Sequence, residues 1–144
     1  MTGPAVHVLN GPNLNLLGQR EPHIYGATTL AEVEQMCRDA AQGPLVFAQT
    51  NHEGVMIDMI HAARGSAAGI VINPAGWTFR SIAIVDALKA FAGPIIELHI
   101  SNVHARDPIY HHSLVSPVAT AVICGLGARG YRVAMQAMYG LLTG

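Results

Sequence analysis

Five short apolar runs punctuate the chain: "AVHVLN" (residues 5–10), "PLVFAQ" (44–49), "GIVIN" (69–73), "PIIELHI" (94–100) and "TAVIC" (120–124). Their length and content suit strands buried on both faces, which read as near-continuous hydrophobic runs. Between and after them lie "TTLAEVEQMCRDAAQ" (28–42), "HEGVMIDMIHAARG" (52–65), "RSIAIVDALKAFAG" (80–93) and "LGARGYRVAMQAMYGLL" (126–142). In these segments apolar residues recur near a 3.6-residue period and glycine stands close to most C-terminal ends, the pattern of amphipathic helices. Strand and helix in alternation predict a parallel sheet with helices on both faces. Five strands predict a flavodoxin-like doubly wound α/β fold, order 2-1-3-4-5, in one domain covering residues 1–144.

The fourth run breaks the apolar pattern. Side chains alternate across a strand, so Glu97, His99 and Ser101 share one face while Leu98 and Ile100 share the other. A buried Glu is rare unless paired. A carboxylate two residues from an imidazole on one face can hold the ring in one tautomer and keep it protonated for use as a general acid. The same pair could instead serve only to stabilise the sheet.

In open α/β sheets ligands bind beyond the carboxyl ends of the strands, at the point where strand order reverses, here between the first and third strands. Polar residues collect at those ends: "LNGPNLN" after the first strand, "INPAGWT" after the third and "ELHISNVHAR" along the fourth. Turn formation accounts for Gly11, Pro12 and Pro74 but not for an acid and an imidazole inside a strand. The loop "GQREPHIYGATT" (18–29) sets Arg20 and Tyr25 between two glycines that could act as hinges. A phenol with a pKa near 10 is a poor base at neutral pH, and a nearby guanidinium favours the phenolate; Arg20 and Arg106 are the candidates.

Composition narrows the class. Apolar residues make up 51% of the chain and charged residues 12%, about half the usual charged fraction. Such a thinly charged surface implies a homo-oligomer. A formal charge of −1, with Lys89 the sole lysine, lacks the electrostatic footprint of a nucleic-acid binder. No apolar run approaches the length of a membrane span. Cys37 and Cys124 lie in apolar periodic segments and the N-terminus shows no signal-like region, which points to the cytoplasm. Eight histidines form no metal-ligand spacing, and adjacent His111 and His112 suit a solvated loop.

Rival uses of the fold fit less well. An FMN carrier should follow its first strand with a Ser/Thr/Gly phosphate loop, and a response regulator needs an Asp and a Lys where this chain has Asn73 and Gly125. "GLGARG" (125–130) matches a dinucleotide fingerprint, but the chain given ends at Gly144 without a following strand and acid. A turn with close helix–sheet packing is the better reading of those glycines.

The segments "LNGPNLNLLGQREPHIYG", "TNHEGVMIDMIHAA", "INPAG", "ELHISNVHAR" and "HHSLVSPVATAVICGLGARGY" together resemble the type II 3-dehydroquinate dehydratases over nearly the whole chain. The resemblance implies a dodecamer of four trimers that eliminates water from 3-dehydroquinate to give 3-dehydroshikimate, with neither metal nor organic cofactor. It implies Tyr25 as the base, Arg20 beside it, Asn13 holding a water at the enolate, and His99 as the acid oriented by Glu97. Asn73, Ser101, the backbone at Ile100 and Arg106 would bind substrate, and Asp86 would reach a neighbouring subunit's site. The sole lysine, Lys89, lies in a helical stretch away from the strand ends, unsuited to the Schiff-base chemistry of the other enzyme class that performs this reaction.

Three positions depart from the family pattern: Phe79 stands for a histidine, Tyr110 for an arginine and Val85 for an arginine. The eliminating residues are present while part of the hydroxyl-recognising set is not. One reading is a dehydratase compensating through Arg80 and the Tyr110 hydroxyl. Another is a paralog dehydrating a less hydroxylated ring acid, and a third is a non-catalytic oligomer binding a shikimate-like ligand. Restoring both residues with Phe79→His and Tyr110→Arg separates the first two: a large gain in kcat/KM on 3-dehydroquinate marks the paralog, and no gain marks a dehydratase already fitted to that substrate.

Overall fold

The structure, a computed structural model, describes residues 2–19 and 21–144. Each apolar run becomes a strand: β1 (Val6–Asn10), β2 (Leu45–Gln49), β3 (Gly69–Asn73), β4 (Ile95–His99) and β5 (Ala121–Cys124). All pair in parallel in one sheet of order β2-β1-β3-β4-β5, the flavodoxin-like arrangement expected from the alternation of elements. The four periodic segments form helices α2 (Leu30–Ala40), α3 (Glu53–Ala63), α4 (Ile82–Lys89) and α5 (Arg129–Thr143). An additional short helix, α1 (Pro22–Tyr25), folds within the loop after β1.

Strand alternation sorts the core into two layers. Val6, Val8, Val71, Ile96 and Leu98 pack on one face with Val33 and Cys37 of α2 and with Tyr131, Ala134, Met135 and Met138 of α5. Leu9, Ile70, Ile72 and Ile95 pack on the other with Met56 and Ile60 of α3 and Ile84, Val85 and Leu88 of α4. Val85 thus completes the apolar stripe of α4, where a charged side chain would have to leave the core. Local chemistry fixes the helix starts: Thr29 and Glu32 form a reciprocal capping box on α2, and Ser81 Oγ accepts from the Ile84 amide at 3.0 Å on α4.

Two features shape the sheet's carboxyl edge. Gly11 donates to the Asn73 carbonyl at 2.8 Å, and a Cβ at Gly11 would lie 2.6 Å from the Pro74 carbonyl oxygen, so only glycine lets the β1 and β3 exits run this close. Beneath them the fully buried Tyr131 hydroxyl donates to Asn10 Oδ1 at 2.8 Å and accepts from Asn73 Nδ2 at 2.9 Å. Burial pushes this phenol's pKa upward, so the group stays neutral. The glycines of 125–130 serve structure: Gly125 and Gly127 take positive φ, their amides donate to the His99 and Ile100 carbonyls, and a Cβ at Gly130 would lie 3.0 Å from Leu98 Cδ1. That loop holds the end of β4 in place.

Replacing Tyr131 with Phe removes the hydroxyl that joins α5 to Asn10 and Asn73 while keeping the ring. The expected cost is about 1–3 kcal/mol of stability, because two buried polar side chains lose a partner. Urea denaturation at fixed protein concentration measures it, and an unchanged midpoint would show that the hydroxyl is not needed.

Candidate active site

The carboxyl ends of β1, β3 and β4 open into a cleft of about 250 Å³ at the predicted switch point. Of the residues expected there, Asn13, Tyr25, Asn73, His99, Ile100, Ser101 and Arg106 all line it. Glu97 lies one layer deeper, fully buried, and reaches the cleft only through His99. Asp86 is exposed on α4, with its carboxylate 4.0 Å from Lys89 Nζ, and does not line the cleft within one chain. Arg20 lies outside the described residues. Arg80 is exposed and also lies off the cleft.

Glu97 has four hydrogen-bond donors. His99 Nε2 donates to Oε2 at 2.6 Å, Thr78 Oγ1 at 2.9 Å and Ser113 Oγ at 2.8 Å donate to the same oxygen, and Ser116 Oγ donates to Oε1 at 2.5 Å. Burial alone would raise the carboxyl's pKa; the bonds from His99, Ser116 and Ser113 outweigh it and hold the group below its ordinary value. Glu97 is therefore an anion that accepts from Nε2, and Nδ1 is left as the imidazole nitrogen able to exchange a proton with a molecule in the cleft. Thr78, Ser113 and Ser116 were not singled out from the sequence. The signal present was Glu97 itself, whose burial demanded partners, but hydroxyl residues in turn-rich segments carry no mark of which strand they return to.

The loop after β1 is braced from β2. Asn13 adopts a left-handed conformation (φ 70°) and donates its amide to Asn51 Oδ1 at 2.9 Å. Gln49 Nε2 donates to that same Asn51 oxygen and to the Gly11 carbonyl, each at 3.1 Å. Ala75, also lining the cleft, is left-handed as well (φ 51°) and donates its amide to Asn73 Oδ1 at 3.1 Å. Left-handed backbone at a non-glycine residue costs roughly 1–3 kcal/mol and persists where surrounding contacts over-determine it. Here two such residues flank one cleft.

The remaining wall is aromatic. Phe79 stacks near His99, with centroids 6.1 Å apart, and meets Tyr110 edge-on at 5.4 Å. The Arg106 guanidinium lies 3.9 Å above the Tyr110 ring and 5.9 Å from the Tyr25 ring. The two departures at Phe79 and Tyr110 thus sit in the cleft and touch one another. His111, expected in a solvated loop, is exposed but donates Nε2 to the Arg106 carbonyl at 2.6 Å.

A carboxylate–imidazole pair and a tyrosine at the switch point of a flavodoxin-like sheet define an α/β enzyme that moves protons on a small molecule. The chain belongs to the class II dehydroquinase family, whose model, "Dehydroquinase class II", matches residues 4–139. It is 58% identical to "3-dehydroquinate dehydratase 2" of Pseudomonas putida, covering 92% of this chain and 91% of that one. It is 55% identical to "Catabolic 3-dehydroquinase 1" of Aspergillus fumigatus, covering 93% and 91%. Among solved structures, the type II dehydroquinase from Propionibacterium acnes superposes with a TM-score of 0.89 at 42% identity, covering 96% and 97%.

Because the folded Glu97 carboxyl titrates below its unfolded value of about 4.3, its contribution to stability is complete above that pH and is lost as pH falls toward the folded-state value. Thermal denaturation followed from about pH 7 to about pH 3 should show wild type losing more Tm than Glu97→Gln, which starts lower and lacks this titration. Parallel curves for the two proteins would contradict the buried anion.

Proposed function

We infer that this protein dehydrates 3-dehydroquinate to 3-dehydroshikimate. The observation that carries the reading is the buried Glu97–His99 pair facing the same cleft as Tyr25. The extensive identity to relatives named for this reaction supports it.

Tyr25, as the phenolate, takes a proton from C2 of the substrate. Arg20, from the same loop, is the cation assigned to favour that phenolate, and Arg106 is assigned to bind substrate; among the described residues its guanidinium lies 5.9 Å from the Tyr25 ring centroid. The electrons released form an enolate, which a water held by Asn13 stabilises by hydrogen bonding. As the enolate collapses, the C1–O bond breaks and His99 delivers a proton to the departing hydroxyl, so that water leaves. Glu97 holds the imidazole through Nε2 and balances its charge while it carries two protons. Asn73, Ser101 and the Ile100 backbone bind the substrate carboxylate and neighbouring oxygens. No step in this sequence calls for a metal or organic cofactor.

The same reading includes assembly. We assign a homo-dodecamer built as four trimers, in which Asp86 of one subunit completes a neighbour's site; its exposure on α4 is compatible with that role. Both edge strands carry half-exposed valines, Val46 on β2 and Val122 on β5, and Ile82 and Ile109 are more exposed still, apolar surface that an assembly would cover. A cytoplasmic setting belongs to the same reading, and Cys37 and Cys124 are both unpaired thiols. No helix among the described residues is long and apolar enough to cross a membrane.

Following the ultraviolet absorbance of the conjugated enone product after adding 3-dehydroquinate tests the reaction. Wild type should turn over and Tyr25→Phe should lose at least about 100-fold in kcat, as removal of a general base does. A well-assembled wild type without turnover would sink the reading.

A further inference from the structure

The segment 106–111 forms a small closed unit at the mouth of the cleft. Pro108 opens a single 3-10 turn at Pro108–Tyr110, the Tyr110 amide donates to the Asp107 carbonyl at 2.9 Å, and the His111 amide donates to the Pro108 carbonyl at 3.1 Å. The His111 ring then closes the unit by donating Nε2 to the Arg106 carbonyl at 2.6 Å. Proline fixes one backbone angle in advance, so the turn is stiff for its length. Its effect is to fold Tyr110 back beneath Arg106, whose guanidinium carbon lies 3.9 Å from the ring centroid. Phe79 supports the other side of Tyr110 edge-on at 5.4 Å. Arg106, Tyr110 and Phe79 all line the cleft.

We propose that Tyr110 is a positioning residue for Arg106: its ring face, clamped by the His111 hydrogen bond and by Phe79, holds the guanidinium in the cleft to bind the anionic or hydroxyl-bearing end of the substrate. An arginine side chain is long and rich in rotamers, and an unsupported one must be ordered each time a ligand binds. A ring under the planar guanidinium leaves its edge N–H groups free to donate while fixing its plane. The ring performs this task, and the hydroxyl does not. That assignment makes the aromatic substitutions at 79 and 110 parts of one device, in which a single guanidinium is pre-ordered.

The assay rests on the dehydration reading, and the design separates the two. Tyr110→Leu should raise KM for 3-dehydroquinate about tenfold while kcat changes by about twofold or less, the signature of lost binding rather than lost chemistry. Tyr110→Phe keeps the ring face and should restore KM to within about threefold of wild type. In an Arg106→Ala background, Tyr110→Leu should have no further effect on KM, because its partner is already gone. His111→Ala, at an exposed position, should raise KM in the same direction and supplies the cycle if Tyr110→Leu fails to assemble. Independent, additive effects of the Tyr110 and Arg106 substitutions would overturn the proposal, as would Tyr110→Phe behaving like Tyr110→Leu. If the wild type does not turn over 3-dehydroquinate, the dehydration reading falls. Crystal structures of wild type and Tyr110→Leu then decide the positioning role, which is supported if the guanidinium leaves the cleft and overturned if it stays.

Discussion

A single buried negative charge organises this molecule's chemistry. Glu97 sits in the fourth strand of a parallel sheet, fully removed from water, where an unpaired carboxylate would cost several kcal/mol. Its four partners come from three places: His99 from its own strand, Thr78 from the turn after β3, and Ser113 and Ser116 from the segment leading to β5. The charge therefore draws two loops onto the end of the strand. The Leu114 amide closes the arrangement by donating to the Thr78 carbonyl at 2.7 Å. Ser113 Oγ also accepts from the Val115 and Ser116 amides, so the hydroxyl that steadies the anion also shapes its own loop. The proposed acid, His99, is oriented by the same contacts that keep the buried charge tolerable, which couples site geometry to folding.

This coupling explains which parts of the site were legible in the sequence. The fold followed from alternation of short apolar runs with periodic segments, and strand boundaries fell within a residue of those runs because turn residues bound each one. The row of Glu97, His99 and Ser101 was legible for a simple reason: a strand's two-residue period is rigid, so an acid and an imidazole two apart must share a face. Thr78, Ser113 and Ser116 were not legible, because their role depends on where two irregular segments return in space, and hydroxyl residues in such segments are equally good turn formers. The brace from Gln49 and Asn51 to the Asn13 loop was hidden for the same reason. Asp86 is the converse case: the family pattern names it, but one chain leaves it on an outer helix face.

The switch point contributes more than a location. Since β1 and β3 are neighbours whose following helices lie on opposite faces, their exits diverge, and the gap between them becomes the cleft. Gly11 lets the two exits approach before they part, and Tyr131 ties both to α5 from below. The left-handed residues Asn13 and Ala75 then turn the chain sharply on either side. Asn13 tolerates that conformation better than most residues do, whereas Ala75 is held by the Asn73 side chain. The strain lies in the walls of the cleft, and the hydrogen bonds that maintain it come from the strand ends, the most ordered neighbours available.

Against this rigid floor, the aromatic wall changes what the site can ask of a substrate. Phe79 offers no hydrogen bond, so recognition on that side must come from shape and from whatever cation remains nearby. Among the described residues Arg106 is the arginine lining the cleft, with its guanidinium carbon 3.9 Å from the Tyr110 ring centroid and 5.9 Å from that of Tyr25. A guanidinium in that position offers donors to a bound acid. That donation weakens steeply if the side chain wanders, since a hydrogen bond depends on both distance and angle. Removing polar partners from the wall therefore makes the placement of the Arg106 guanidinium more consequential, and a stacked aromatic beneath it meets that need without adding a competing hydrogen-bond acceptor on its face.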